Sequence, residues 1–223
     1  MRVAVIKTPG SNCDQDAFFA LSGVCGFQTK YVWHKEISLE GFDAVVLPGG
    51  FTYGDYLRGG AIAAVSPIVS EVKRFAMEGK PVLGICNGFQ VLTEAGILPG
   101  ALVKNSGQKF ICKDVFLKPE GKSQWTAGLE GTLRIPIAHN EGRFVAEEEE
   151  ISRLEGEGRV AFRYSSAQGE IGSLSNPNGA MANIAGVTNE RGNVLGMMPH
   201  PERATSNLLG GEDGLKILER LAG

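Results

Sequence analysis

The amino-acid sequence predicts an α/β fold: a mostly parallel sheet covered by helices on both faces, with added antiparallel strands in the C-terminal half. In the first half, short apolar runs without polar alternation take turns with segments of helical spacing, the pattern of parallel strands buried on both sides. Beyond about Pro99, short strand-like runs are divided by turn signals such as Asn176-Pro177-Asn178-Gly179, the texture of hairpins.

Residues 2–7 (RVAVIK) are β-branched and end in Thr8-Pro9-Gly10, so a strand stops there. Residues 14–21 place Phe18 and Leu21 one helical step apart. Residues 28–33 form a second strand, and residues 44–47 a third, closed by Pro48-Gly49-Gly50. Ile62, Val65, Val69, Val72 and Phe75 recur at three- and four-residue steps, which predicts one amphipathic helix with its stop at Gly79. Residues 81–85 are the fourth strand. The later strands are expected at 110–117, 132–137, 159–164, 184–188 and 194–198, and a closing helix at 214–221. The charged stretch from Glu147 to Gly158 reads as a solvated loop or edge.

At 223 residues the chain is expected to be a single domain spanning 1–223. The formal charge is −3 and no basic cluster is present, which argues against nucleic acid. No apolar stretch approaches the roughly 20 residues of a membrane-spanning helix, and the start MRVAVIKTPG lacks the layout of a secretory signal. A cytoplasmic protein is expected. Cys13, Cys25, Cys86 and Cys112 show no C-x-x-C spacing and the histidines stand apart from them, so no metal site and no disulfide is expected.

The chemistry concentrates at Gly84-Ile85-Cys86-Asn87-Gly88. This is the spacing of a nucleophile elbow with Cys in place of Ser. A residue at a sharp strand-to-helix turn needs neighbours without side chains, and the exposed N–H groups of a helix start stabilise a thiolate. The alternative is a small buried hydrophobe. The other three cysteines lack such a context and are read as structural.

A catalytic thiol needs a base. His200 lies in Met198-Pro199-His200-Pro201-Glu202, where two prolines fix the backbone and an extended chain points residues 200 and 202 the same way. A carboxylate so placed can hold the second ring nitrogen. His34 reads as a surface or strand-end residue. His139, in Ala138-His139-Asn140-Glu141-Gly142, belongs to a polar loop suited either to recognition or to a plain loop hydrogen bond. An oxyanion hole is expected from the N–H of Asn87 and from the Gly-rich loop Leu47-Pro48-Gly49-Gly50.

With Cys86, His200 and Glu202 in this order, the elbow GICNGFQ and the loop LPGG, the sequence resembles the class I (triad) glutamine amidotransferases. The stretches PGSNCDQD, PGGFTYGDYLRGGAIA, IAHNEGRF and MMPHPER are similar to one branch of that family, the glutaminase subunits of phosphoribosylformylglycinamidine synthases. The likeness runs from the first strand to the last helix. It implies a flavodoxin-like domain that hydrolyses glutamine through a cysteine thioester, with Cys86, His200 and Glu202 as triad and Gly50 and Asn87 as oxyanion donors. It further implies substrate contacts at Gln90, His139 and Glu141. Two departures from the wider class, Asn87 and Phe89 beside the elbow, are themselves typical of that branch; Asn140 stands where a glycine is usual.

Neither G-x-x-x-x-G-K-[ST] nor G-x-G-x-x-G occurs between a strand and a helix. The resemblance therefore implies no cofactor in this chain, with ATP and Mg on a large synthase subunit, joined by a small accessory subunit, that converts formylglycinamide ribonucleotide to its amidine. Two rivals remain at this point: a cysteine peptidase or chaperone-like hydrolase of related fold, and a silent binding module. Asn87 where the former carry His counts against the first, and retention of all three triad residues against the second.

Overall fold

The computed structural model describes residues Met1–Gly223. The first four strands lie where the apolar runs place them: β1 (Arg2–Lys7), β2 (Gln28–Trp33), β3 (Ala44–Leu47) and β4 (Val82–Ile85). The second half adds β5 (Ala101–Val103), β6 (Ile111–Pro119), β7 (Leu133–His139), β8 (Arg143–Val145), β9 (Val160–Ser165), β10 (Ile184–Thr188) and β11 (Val194–Met197). Nine of them form one sheet in the order β2-β1-β3-β4-β11-β10-β9-β6-β7, and β5 pairs with β8 in a separate two-stranded sheet.

The pairing is parallel from β2 through β11 and antiparallel from β11 to β7. Burial follows this division. Every residue of β3, β4, β10 and β11 is buried, and because successive side chains point to opposite faces, both faces of the central sheet are covered. In β7, by contrast, Leu133, Ile135, Ile137 and His139 are buried while the residues between them are not, so the antiparallel edge buries one face alone. Pro136 is tolerated there because β7 is an edge strand.

The strand β11, in the half where antiparallel company is expected, joins the parallel set beside β4, with Ile85 opposite Met197. It has that company on one side only, from β10.

The helices are α1 (Asp14–Phe19), α2 (Ala61–Ala64), α3 (Pro67–Met77), α4 (Asn87–Glu94), α5 (Glu148–Gly156) and α6 (Leu215–Leu218). Three differ from expectation. The periodic segment 62–75 is two helices, because Ser66 is extended (φ −70°, ψ 148°) and Pro67 opens α3 at its first position, where its missing N–H costs nothing. Ile68, Val69, Val72, Phe75 and Ala76 form the buried face of α3. The segment expected as a solvated loop is the helix α5: Glu148, Glu149 and Glu150 fill its first turn and Arg153 its last, charges that suit the helix dipole at both ends, and Leu154 is fully buried. The closing helix α6 is shorter than predicted and runs into a tighter turn at Glu219–Ala222.

No helix is long and apolar enough to cross a membrane.

Candidate active site

The nucleophile candidate sits on strained backbone. Cys86 has φ 50° and ψ −106° and joins the end of β4 to the start of α4. A non-glycine residue in that region is held there by its surroundings. Its neighbours explain the two glycines: a Cβ on Gly84 would lie 2.5 Å from Leu92 and 2.9 Å from the carbonyl of Gly88, and one on Gly88 would overlap the carbonyl of Leu47. The elbow is possible because strand and helix pass in backbone contact.

His200 follows β11 as Cys86 follows β4. Because the two strands are parallel neighbours, both residues leave the sheet at its carboxyl end, the usual place for ligand sites in such sheets. His200 Nδ1 is 2.7 Å from Glu202 Oε1, and both residues are buried, at 1% and 3% exposure. The His200 backbone N–H donates to the Pro136 carbonyl at 2.8 Å, which docks this loop on the edge strand β7. A flat sheet would put β7 about 24 Å from β4, five strand spacings away, yet Cys86 Sγ lies 3.8 Å from the Ala138 carbonyl at the end of β7. The antiparallel half therefore curls round and closes over the site.

Burial alone would lower the pKa of His200, but the Glu202 carboxylate and the thiols of Cys86 and Cys13 outweigh it and hold the ring well above its ordinary value. Glu202 fixes Nδ1, so Nε2 is the nitrogen left to exchange a proton; it is buried and makes no close hydrogen bond.

Cys13, read from the sequence as structural, is part of this arrangement. Its Sγ, the His200 ring and Cys86 all converge on the spot that a Cβ on Gly49 would occupy, at 3.2, 2.8 and 3.4 Å, and the Arg203 guanidinium donates to Cys13 Sγ at 3.1 Å. Nothing in its local sequence marks it out; the loop that carries it is ordered by Gly49, whose carbonyl accepts the Cys13 N–H at 3.1 Å.

The two expected oxyanion donors are unengaged. The Gly50 N–H meets no backbone or side-chain acceptor, and the Asn87 N–H heads α4, where a helix has no internal acceptor for it. Gly50 has φ 150°, and a Cβ on it would press on Gly10 and Asn12.

The Asn87 side chain does more than its backbone. Its Oδ1 accepts the Thr52 N–H at 3.1 Å, and its Nδ2 donates to Asp55 at 3.2 Å and to Gln90 Oε1 at 2.7 Å. Gln90 in turn donates to the Glu141 carbonyl at 2.6 Å. Gln90, His139 and Glu141 thus meet Cys86 round one cavity of about 200 Å³. Asp55, which sequence reasoning passed over, lines it too. Burial, with the nearby Glu141 charge, raises the Asp55 carboxyl to about 6.

His139 is held neutral. Asn105 Nδ2 donates to two carbonyls, those of Lys109 and His139, so its Oδ1 is an acceptor, shared by the Gly142 N–H and His139 Nδ1. Nδ1 therefore carries the proton. Burial, with the charge of His200, lowers this ring to about 4.

His34 is not a surface residue. It follows β2 but is buried at 6% exposure, and its Nδ1 pairs with the Tyr53 hydroxyl at 3.0 Å; it supports the 52–55 segment rather than the thiol. A larger cavity, of about 620 Å³, is remote from this chemistry. It opens at the Arg191 turn that precedes β11, and Arg153, Arg159 and Arg191 are already engaged by Glu150, Glu157 and the Met77 carbonyl.

Known proteins resemble this chain along nearly its whole length. Residues 1–210 match the CobB/CobQ-like glutamine amidotransferase domain. The chain is 54% identical over 221 residues to the phosphoribosylformylglycinamidine synthase subunit PurQ of Thermomicrobium roseum, covering 98% of this chain and 94% of that one. It is 54% identical over 218 residues to the PurQ subunit of Thermus thermophilus, covering 96% and 95%. Among solved structures it is similar to PurLQS from Thermotoga maritima, with a TM-score of 0.87 and 44% identity over 99% of this chain and 97% of that one. A cysteine elbow beside a buried His–Glu pair, on a chain matched along nearly its full length, places this protein in the CobB/CobQ-like glutamine amidotransferase family.

Proposed function

We propose that the chain is the glutaminase subunit of a phosphoribosylformylglycinamidine synthase. It hydrolyses glutamine to glutamate and ammonia, and the ammonia serves a partner that converts formylglycinamide ribonucleotide to formylglycinamidine ribonucleotide in de novo purine biosynthesis. The observation that carries this reading is the convergence of Cys86 with the buried His200–Glu202 pair, in a chain with PurQ relatives at 54% identity.

Residues 1–223 act as one amidotransferase domain. The reaction starts from a Cys86 thiolate and a His200 imidazolium. Sγ attacks the carbon of the side-chain amide, and the N–H groups of Gly50 and Asn87 receive the oxyanion. His200 gives its proton to the amide nitrogen, the C–N bond breaks, and ammonia leaves a γ-glutamyl thioester. Water then attacks, losing a proton to His200, and collapse of the second oxyanion releases glutamate and restores the thiolate. Glu202 keeps Nε2 facing the reacting atoms throughout.

The partners are a large synthase subunit, which holds ATP and magnesium, and a small accessory subunit; the likeness to PurLQS supports such an assembly. The cytoplasm, whose reducing poise keeps Cys86 a thiol, is the compartment that suits this chemistry.

The test is division of labour. In the reconstituted synthase, Cys86→Ala is expected to abolish glutamine-dependent synthesis and leave synthesis from added ammonium salt within about twofold of wild type. Size-exclusion chromatography first verifies that the complex is intact. Loss of both activities in an intact complex refutes the proposal.

A further inference from the structure

The cavity over Cys86 is acidic at its rim. Asp55 and Glu141 both line it, and no lysine or arginine does. The Asp55 carboxylate accepts from the Asn87 amide at 3.2 Å and the Glu141 carboxylate from the Gly59 N–H at 3.1 Å. Both donors are neutral, so neither acid is compensated. One chain of hydrogen bonds joins the two residues, running from the Asp55 carboxylate through the Asn87 and Gln90 side chains to the main-chain carbonyl of Glu141. Within it, the residue after the nucleophile holds one acid in place.

Two half-buried carboxylates without a counter-ion repel one another, and burial together with the Glu141 charge raises the Asp55 carboxyl to about 6. A cation placed between them would relieve it. The cavity leads to a thiol that attacks an amide, so the fitting ligand carries an amide at one end and a positive charge at the other. Glutamine has this form, with its α-ammonium group remote from the γ-amide.

We propose that Asp55, together with Glu141, receives the α-ammonium group of glutamine and so sets the distance at which the γ-amide meets Cys86. The assignment rests on the glutaminase reading above and deepens it, because it names the part of the substrate by which the site separates glutamine from other primary amides. The loop geometry serves this role: Asp55 itself has φ 52°, a left-handed turn that a non-glycine residue adopts only under constraint, and the Asn87 amide supplies that constraint.

The experiment compares glutamine with 5-amino-5-oxopentanoate, which keeps the amide and the carboxylate and lacks the ammonium group. Ammonia release is followed in the assembled synthase for wild type, Asp55→Asn and Glu141→Gln. Wild type is expected to favour glutamine by about 100-fold or more in kcat/KM, the scale of a lost charge-assisted contact inside a site. Asp55→Asn is expected to raise the KM for glutamine about tenfold, with kcat within about threefold, and to narrow the preference about tenfold. Glu141→Gln should move both in the same direction. The inference is overturned if both variants keep the wild-type preference, or if Asp55→Asn lowers kcat alone, which makes the residue a strut of the loop. Either result leaves the glutaminase reading standing; a wild type that hydrolyses neither amide overturns both.

Discussion

Met197 lies opposite Ile85 as the last paired residue of two parallel strands, and the Met197 carbonyl accepts the N–H of Cys86 at 2.8 Å. This one pairing brings the thiol and the imidazole together. With β11 one register step out of place, His200 would be displaced by about 3.3 Å along the strand, more than a hydrogen bond tolerates.

The His200–Glu202 pair predicts a large effect from a small change. Glu202→Gln keeps the shape of the side chain but loses the charge and allows the wrong tautomer. Glutaminase kcat is expected to fall by about 10²–10⁴-fold, with a far-ultraviolet circular dichroism spectrum like that of wild type. A rate within threefold of wild type would remove Glu202 from the triad.

The four thiols are expected to separate by reagent. A glutamine-like electrophile such as 6-diazo-5-oxonorleucine should modify Cys86 alone, and excess glutamine should protect it. Cys112 is exposed and should react with plain iodoacetamide whether glutamine is present or not. Burial, with the charge of Glu219, raises the Cys25 thiol to about 11, so it should stay unmodified near neutral pH. Peptide mapping of the labelled protein decides the matter, and glutamine-protected labelling at any other cysteine would contradict the assignment.

His139 predicts an acid-sensitive fold. Its ring is lowered from 6.5 to about 4, so between these values the unfolded chain takes up a proton that the folded chain does not. Its contribution to stability is therefore complete above pH 6.5 and is lost as the pH falls toward 4. At pH 5 the loss is about 2 kcal/mol. His200, with its raised pKa, works in the opposite sense, and a variant isolates the term. Between pH 7.5 and pH 5, urea denaturation should show wild type losing about 2 kcal/mol more than His139→Gln. Equal losses would show that His139 does not titrate in this way.

The features legible in the sequence were those set by short-range chemistry. The elbow announces itself because the spacing of Gly84 and Gly88 around Cys86 is local, and Glu202 because it stands two residues from His200 in a proline-bounded segment, although the backbone there is a 3-10 turn over Pro201–Arg203 and not the extended chain expected. What escaped depends on the fold as a whole. Cys13 reaches His200 across nearly the whole length of the chain, through Gly49, and no local pattern encodes that. The parallel placement of β11 is invisible because a strand buried on both faces has the same apolar run whichever way its neighbour points. Two of the departures carry local signals. Pro67 is a helix opener, which should have divided the 62–75 segment. Four successive glutamates ahead of an apolar Ile151 and Leu154 suit a helix start as well as a solvated loop.

Seven residues other than glycine have positive φ, and four of them, Tyr53, Asp55, Leu57 and Cys86, lie at the elbow or on the loop that Asn87 ties to it. Each such position disfavours the native conformation by about 1–3 kcal/mol. The strain is therefore concentrated around the cavity that holds Cys86, while the central strands are buried on both faces. Amide hydrogens at 52–58 should exchange through local opening long before those of β3 and β4. The entrance of the cavity is thus the part of the molecule most ready to rearrange: a hinged door hung on a rigid frame, with the Asn87 side chain as its latch.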